Sequence, residues 1–133
     1  MFRDTAAHKP GTISQVGLGT FVDPRSLGGK LNPLTRAEED LVSLMEIDGK
    51  EFLFYKTHPV DFAILGGTYA DENGNISIER EGVRTETLAV AQACKNSGGT
   101  VIVQVEKVVE AGSLDPQKVE IPGVLVDLSL IHI

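Results

Sequence analysis

The run Ile64-Leu-Gly-Gly-Thr-Tyr-Ala-Asp-Glu-Asn-Gly-Asn75 constrains what this chain can fold into more than any other segment. It starts as an apolar strand and ends in a polar turn. From Val60 to Tyr69 the chain is apolar almost without a break, the pattern of a strand covered on both faces. Thr85 to Asn96 then reads as a helix. Leu88, Ala89, Val90, Ala91, Ala93 and Cys94 surround it with small apolar groups that permit close packing on a sheet, and Gly98-Gly99 supplies a left-handed stop. Gly99-Thr-Val-Ile-Val-Gln-Val-Glu-Lys-Val-Val109 returns as a second strand. Strand, helix, strand in that order predicts a right-handed crossover and a parallel pair, one face of a layered α/β domain.

The flanks are shorter pieces. Residues 1 to 9 have helical character and stop at Pro10-Gly11. Ile13 to Gly17 alternates like a short strand, then gives way to a glycine-rich loop, Gly17 to Gly29, that contains Asp23-Pro24. Asp40 to Ile47 and Glu51 to Tyr55 flank Asp48-Gly49, whose tolerance of positive φ predicts a tight hairpin. Asn73-Gly74 marks another turn, leading into Ile76-Ser-Ile78, and Ile121 to Val126 reads as a further strand after Asp115-Pro116. No internal repeat or low-complexity tract interrupts this order.

Bulk properties exclude several classes. A formal charge of −7 repels nucleic-acid phosphates and anionic lipid surfaces. No apolar run approaches the eighteen or so residues that span a bilayer, and the start has no secretory apolar core. A single cysteine cannot form an internal disulfide, so a reducing, cytoplasmic setting is expected. The length fits one domain. Asn75-Ile-Ser77 matches the glycosylation pattern only by chance in such a setting.

Most site-like motifs fail on spacing. Gly17-Leu-Gly19 begins like a dinucleotide fingerprint, but its third glycine would fall at Val22 and no helix follows. Asp71, Asn73 and Asn75 alternate like calcium ligands, yet Gly74 stands fourth rather than sixth and Gly82 replaces the twelfth-place glutamate. A turn in which Asp and Asn side chains bond their own backbone explains them better. His8, His58 and His132 have no cysteine or carboxylate at ligand spacing, so no metal site is expected. Cys94, set among alanines, reads as a small core residue.

Taken together, several segments resemble one enzyme family. They are Val16-Gly-Leu-Gly-Thr-Phe-Val-Asp-Pro-Arg25, Gly28-Gly-Lys-Leu-Asn32, Gly67-Thr-Tyr-Ala-Asp-Glu-Asn-Gly-Asn75, Asn96-Ser-Gly-Gly99, Val103-Gln-Val-Glu106, Gly112-Ser-Leu-Asp-Pro116 and Ile121-Pro-Gly123. In this order they resemble the acyl-CoA:acetate/3-ketoacid CoA-transferase family, particularly its propionate CoA-transferase branch, from about Arg3 to Asp127. The resemblance implies a partial CoA-transferase-like α/β layered domain with a mixed, largely parallel sheet, incomplete at both ends. Residues 1–127 would form the second part of the amino-terminal half of a longer protein. Residues 128–133 depart from the pattern and are expected to be a non-native tail.

The family moves coenzyme A from an acyl thioester to a free carboxylate through a glutamyl-CoA thioester, which implies ping-pong kinetics. Coenzyme A enters as the acyl-CoA substrate; no cofactor or metal is implied, and the partners are acyl-CoA and small carboxylates. Family likeness also suggests a homo-oligomer at full length. Glu72, in Asp71-Glu-Asn-Gly74, invites comparison with the nucleophile's Ser-Glu-Asn-Gly context. Its neighbours match the strand-end turn of the amino-terminal half instead, so no catalytic residue is expected in this chain. Glu79, Glu81 and Glu86 read as solvated carboxylates near a turn and a helix start. Gly17, Gly19 and Thr20 are the candidate substrate-binding residues, walling an acyl or carboxylate pocket; a glycine turn needed only for backbone geometry is the competing reading. Two other classes compete with the transferase: a self-contained α/β interaction or scaffold domain, and a sugar-phosphate isomerase or deaminase of related architecture. The latter needs a phosphate-cradling loop and catalytic acid that no segment supplies.

Overall fold

The computed structural model describes residues 1–131, and the chain divides into two compact units: Lys9–His58 with Met1, and residues 2–8 with residues 59–131. Length alone suggests one. The expectation for His132 and for the last two residues of the tail lies outside the described residues.

In the first unit, β1 (Gly11–Ser14), β2 (Val42–Ile47) and β3 (Lys50–Lys56) form an antiparallel sheet in the order β1-β3-β2. The expected hairpin is the β2–β3 pair, with Glu46 opposite Glu51 and Ile47 opposite Lys50. Asp48 and Gly49 both have positive φ, 51° and 73°, the combination that matches a two-residue turn to the strand twist. Leu53 on β3 is fully buried and faces Ser14 and Leu44 in the two registers. A short helix not expected from the sequence, Pro33–Ala37, is nucleated by its cap. Asn32 Oδ1 accepts from the Thr35 N–H at 2.9 Å, Thr35 Oγ1 accepts from the Asn32 N–H at 3.2 Å, and Pro33 follows the cap.

The second unit is the predicted layer. β4 (Phe62–Asp71) pairs in parallel with β6 (Thr100–Val109), from Phe62 opposite Thr100 to Asp71 opposite Val109. The connecting helix covers Thr87–Asn96. It closes with the Gly98 N–H on the Lys95 carbonyl and the Gly99 N–H on the Cys94 carbonyl, Gly98 taking φ 79°. β5 (Ile76–Ser77) and β7 (Val119–Ile121) extend the sheet antiparallel on one side, and β8 (Leu128–Ile131) adds a parallel strand on the other, giving β7-β5-β4-β6-β8. Thus the sheet is mixed, with parallel pairing along its centre. The short amino-terminal helix Phe2–Ala6 belongs to this unit, where the Asn96 side chain donates to the Ala6 carbonyl at 2.6 Å.

Two expectations need correction. The strand expected over residues 121–126 ends at Ile121: Pro122 has no N–H to continue a ladder, and Gly123–Leu125 turns into a 3₁₀ segment. β4 is also not covered on both faces among the described residues. Ala63, Val101, Val103 and Val105 pack with Ala91 and Cys94 of the helix, whereas Phe62 and Ile64 on the opposite face are 68% and 78% exposed. Residues 128–131 of the expected tail pair with β6, Leu128 opposite Ile102 and Leu130 opposite Gln104.

Candidate functional site

The loop that carries the candidate residues is a closed knot. At its centre lies Asp23, 1% exposed. Its Oδ2 accepts from the Gly19 N–H and from Arg25 Nη2, both at 2.8 Å; its Oδ1 accepts from the Arg25 N–H and Arg25 Nε, both at 3.0 Å. The main chain of Asp23 adds three more bonds: its N–H donates to the Thr20 carbonyl, and its carbonyl accepts from the Ser26 and Gly28 N–H groups. The Arg25 guanidinium, with the Gly19 and Arg25 backbone donors, holds the Asp23 carboxyl far below the usual carboxylate range, against the opposing effect of burial. Arg25 Nη1 reaches on to both oxygens of Glu51 on β3, at 3.0 and 3.1 Å.

Gly17, Gly19 and Thr20 stand together on this knot, but two of their backbone donors are used within it. The Gly19 N–H goes to Asp23, and the Thr20 N–H and Oγ1 both go to the Gly17 carbonyl, at 3.0 and 2.8 Å. Gly17 adopts φ 100°, and a methyl there would lie 2.3 Å from Tyr55 Oη. That hydroxyl donates to the Val16 carbonyl at 2.5 Å. Gly17 is therefore required for geometry whatever else it does. What the loop presents outward is Gly19, Thr20, Val16 at 78% exposure and Phe21 at 55%. This surface offers shape and an apolar edge.

In the second unit the Asp71–Asn75 turn forms as the Asx reading requires. Asp71 Oδ1 accepts from the Asn73 and Asn75 N–H groups at 3.0 and 2.9 Å, and its Oδ2 from Asn75 Nδ2 and the Gly112 N–H at 3.0 and 3.2 Å. Burial pushes this carboxyl up, but these donors outweigh it and the net displacement is downward. Asn75 Oδ1 in turn accepts from the Gly123 N–H at 2.9 Å. Glu72 is exposed at the rim and accepts from the Ala111 N–H at 3.3 Å. Glu79 is 3.2 Å from Lys118 Nζ. Glu81 lies beside a shallow hollow that Gly66 leaves between Ile64 and Gln104, and Glu86 caps the 87–96 helix without a side-chain bond.

Cys94 is fully buried, its Sγ 3.4 Å from the Thr100 carbonyl, and burial pushes the thiol up. No group of three or more His, Cys, Asp or Glu among the described residues is arranged to hold a metal ion, and none of their helices is long and apolar enough to cross a membrane. The residue that sequence reasoning missed is Asp23. Its signal was the Asp-Pro-Arg order within a glycine-rich loop, where an ionised side chain can serve neighbouring donors at once.

Comparison with known proteins adds what the geometry alone does not. The coenzyme A transferase family model matches residues 1–128. A caffeate CoA-transferase of Acetobacterium woodii is 57% identical over 131 residues, 98% of this chain and 25% of that protein. The acetate CoA-transferase YdiF of Escherichia coli (strain K12) is 47% identical over 129 residues, 97% of this chain and 24% of that protein. The crystal structure of acyl-CoA transferase YdiF from E. coli O157:H7, in a thioester complex with CoA, superposes with a TM-score of 0.94 at 46% identity, over 98% of this chain and 25% of that one. The chain thus spans about a quarter of the length of the relatives it matches.

Proposed function

The chain belongs to the coenzyme A transferase family, and from that premise we propose that the protein containing it moves coenzyme A from a short-chain acyl-CoA to a free carboxylate such as acetate, propionate or a 3-keto acid. The observation that carries this reading is the 0.94 superposition, at 46% identity, on an acyl-CoA transferase. One further fact supports a quarter-length piece. The apolar face around Phe62 and Ile64 is largely exposed among the described residues, as expected of a sheet whose neighbours lie elsewhere in a longer polypeptide.

A glutamate supplied by the rest of that polypeptide attacks the thioester carbonyl, giving an acyl-glutamyl anhydride and the CoA thiolate. The thiolate adds to the glutamyl carbonyl and expels the first carboxylate, leaving a glutamyl-CoA thioester. The second carboxylate then reverses both steps. One difficult exchange becomes several of similar energy, and each tetrahedral oxyanion needs donors at its oxygen. Gly17, Gly19 and Thr20 wall the acyl or carboxylate pocket through their outward surface, because the N–H groups of Gly19 and Thr20 are used inside the loop. The reading assigns this chain no catalytic residue and no cofactor beyond coenzyme A as substrate. It places the full-length enzyme in the cytoplasm as a homo-oligomer.

Replacing Thr20 by valine in the full-length protein tests the pocket: the KM for the carboxylate should rise while the fold survives. Residues 1–133 alone should exchange no CoA between acetyl-CoA and propionate. Exchange by that piece would overturn the placement of the nucleophile.

A further inference from the structure

We propose that Asp23 is a positioning residue for carboxylate binding, fixing from inside the loop the outward surface of Gly19, Thr20 and Phe21 against which the acid or acyl group rests. The inference rests on the reading that Gly17, Gly19 and Thr20 wall that pocket.

Three observations carry it. First, bonds to five residues of the loop converge on one: the carboxylate holds Gly19 and Arg25, the main-chain N–H holds Thr20, and the carbonyl holds Ser26 and Gly28. Second, the knot is anchored outside itself. Arg25 grips Asp23 on one side and both Glu51 oxygens on β3 on the other, so one guanidinium joins strand and loop. Third, the loop presents Val16 and Phe21 largely exposed while Asp23 is buried.

Burying a carboxylate is costly unless its oxygens are occupied, and a connection that only had to span from β1 to the next helix could use solvated turns. Here four donors converge on one carboxylate and set the surface geometry to within the tolerance of a hydrogen bond. A binding surface needs support of this kind, because a shift of about 1 Å at a reacting group can cost on the order of 100-fold in rate.

The test uses the full-length protein with Asp23→Asn, Arg25→Lys, Thr20→Val and the Asp23→Asn/Thr20→Val double variant. KM and kcat are measured for propionate and for acetyl-CoA, with hydrogen exchange over residues 17–29 as the structural readout. Asp23→Asn should raise the propionate KM roughly tenfold, with kcat changed much less, and should release protection at Gly19. Arg25→Lys keeps the charge but loses the fork, so a smaller rise is expected. The double variant should be no worse than Asp23→Asn alone, because both act through one surface. If Thr20→Val raises the KM and Asp23→Asn or Arg25→Lys leaves it unchanged, even with thermal stability reduced, Asp23 is merely structural and the inference fails while the pocket stands. If Thr20→Val leaves the KM unchanged, the pocket reading falls and takes the role of Asp23 with it. Should Asp23→Asn fail to fold, Arg25→Lys decides: an unchanged KM overturns the inference.

Discussion

Between Gly17 and Gly29 the loop gathers around one buried carboxylate, whereas β4, the 87–96 helix and β6 pack through small and branched apolar side chains. Among the buried apolar side chains of the described residues, Leu53 alone lies in the unit spanning Lys9–His58; Ala63, Ile76, Ala91, Cys94, Val101, Val103, Val105 and Ile121 cluster in the other. The difference is one of direction. Apolar burial contributes roughly 25 cal/mol per Å² wherever the surface lies, so it gives stability without dictating each angle. Hydrogen bonds to a carboxylate add less net stability but dictate where each donor sits. A chain that must present a defined loop surface from a stable sheet therefore uses both.

The comparison is broken most severely at Val103. This side chain sits between Leu65 on β4 and Ser129 on β8 and is fully buried. Val103→Asp in the full-length protein places an uncompensated charge there and should cost on the order of 3–5 kcal/mol in urea unfolding. A loss below about 1 kcal/mol would mean the cluster is not the core. Gly99→Ala comes next. A methyl at Gly99 would lie 2.2 Å from the Val60 carbonyl oxygen and 2.5 Å from that of Asp61, both backbone atoms that cannot swing away. An expected loss of about 1–3 kcal/mol is read from the same urea midpoint.

The polar knot should break differently, by pH. Asp23 has a folded pKa depressed below its unfolded value, so its contribution is complete above the unfolded value and is lost as pH falls through the folded one. Hydrogen-exchange protection factors over residues 17–29, taken relative to intrinsic exchange at each pH, should therefore begin to fall below roughly pH 4, the ordinary range for this side chain. Residues 102–105 should stay protected at the onset, since no titrating side chain lies among them; Val101 is set apart because its N–H donates to Asp127 Oδ2. Simultaneous loss in both segments would contradict the contrast.

The apolar region was the legible one. Period and composition were enough for β4, the helix and β6, because a strand that packs on a helix must carry its small and branched side chains in order. The Asp71–Asn75 turn was equally readable, as its bonds run between near neighbours in sequence. The strand expected at 121–126 was lost to Pro122, a local signal outweighed in the reading by the apolar run around it. Asp23 was legible only in part. Its glycine-rich setting was plain, but its burial and its link through Arg25 to Glu51 depend on β3 folding back beside the loop, a contact between residues 26 apart in sequence.

Ser77 offers the smallest test and reverses the sign. Its Oγ is fully buried in the apolar unit and has no hydrogen-bond partner among the described residues. Asp23 and Ser77 are thus both buried polar side chains, one fully served and one not. Removing the served group should loosen its loop. Removing the unserved hydroxyl takes away a desolvation cost of about 1–3 kcal/mol that nothing repays, at the expense of a very small void. Ser77→Ala should accordingly leave stability unchanged or raise it by up to about 1 kcal/mol, seen as an equal or higher urea midpoint with the same slope. A clear fall would mean that the hydroxyl meets a partner from the rest of the full-length protein, and Ser77 would then belong with Asp23 among the residues that fix geometry by direction.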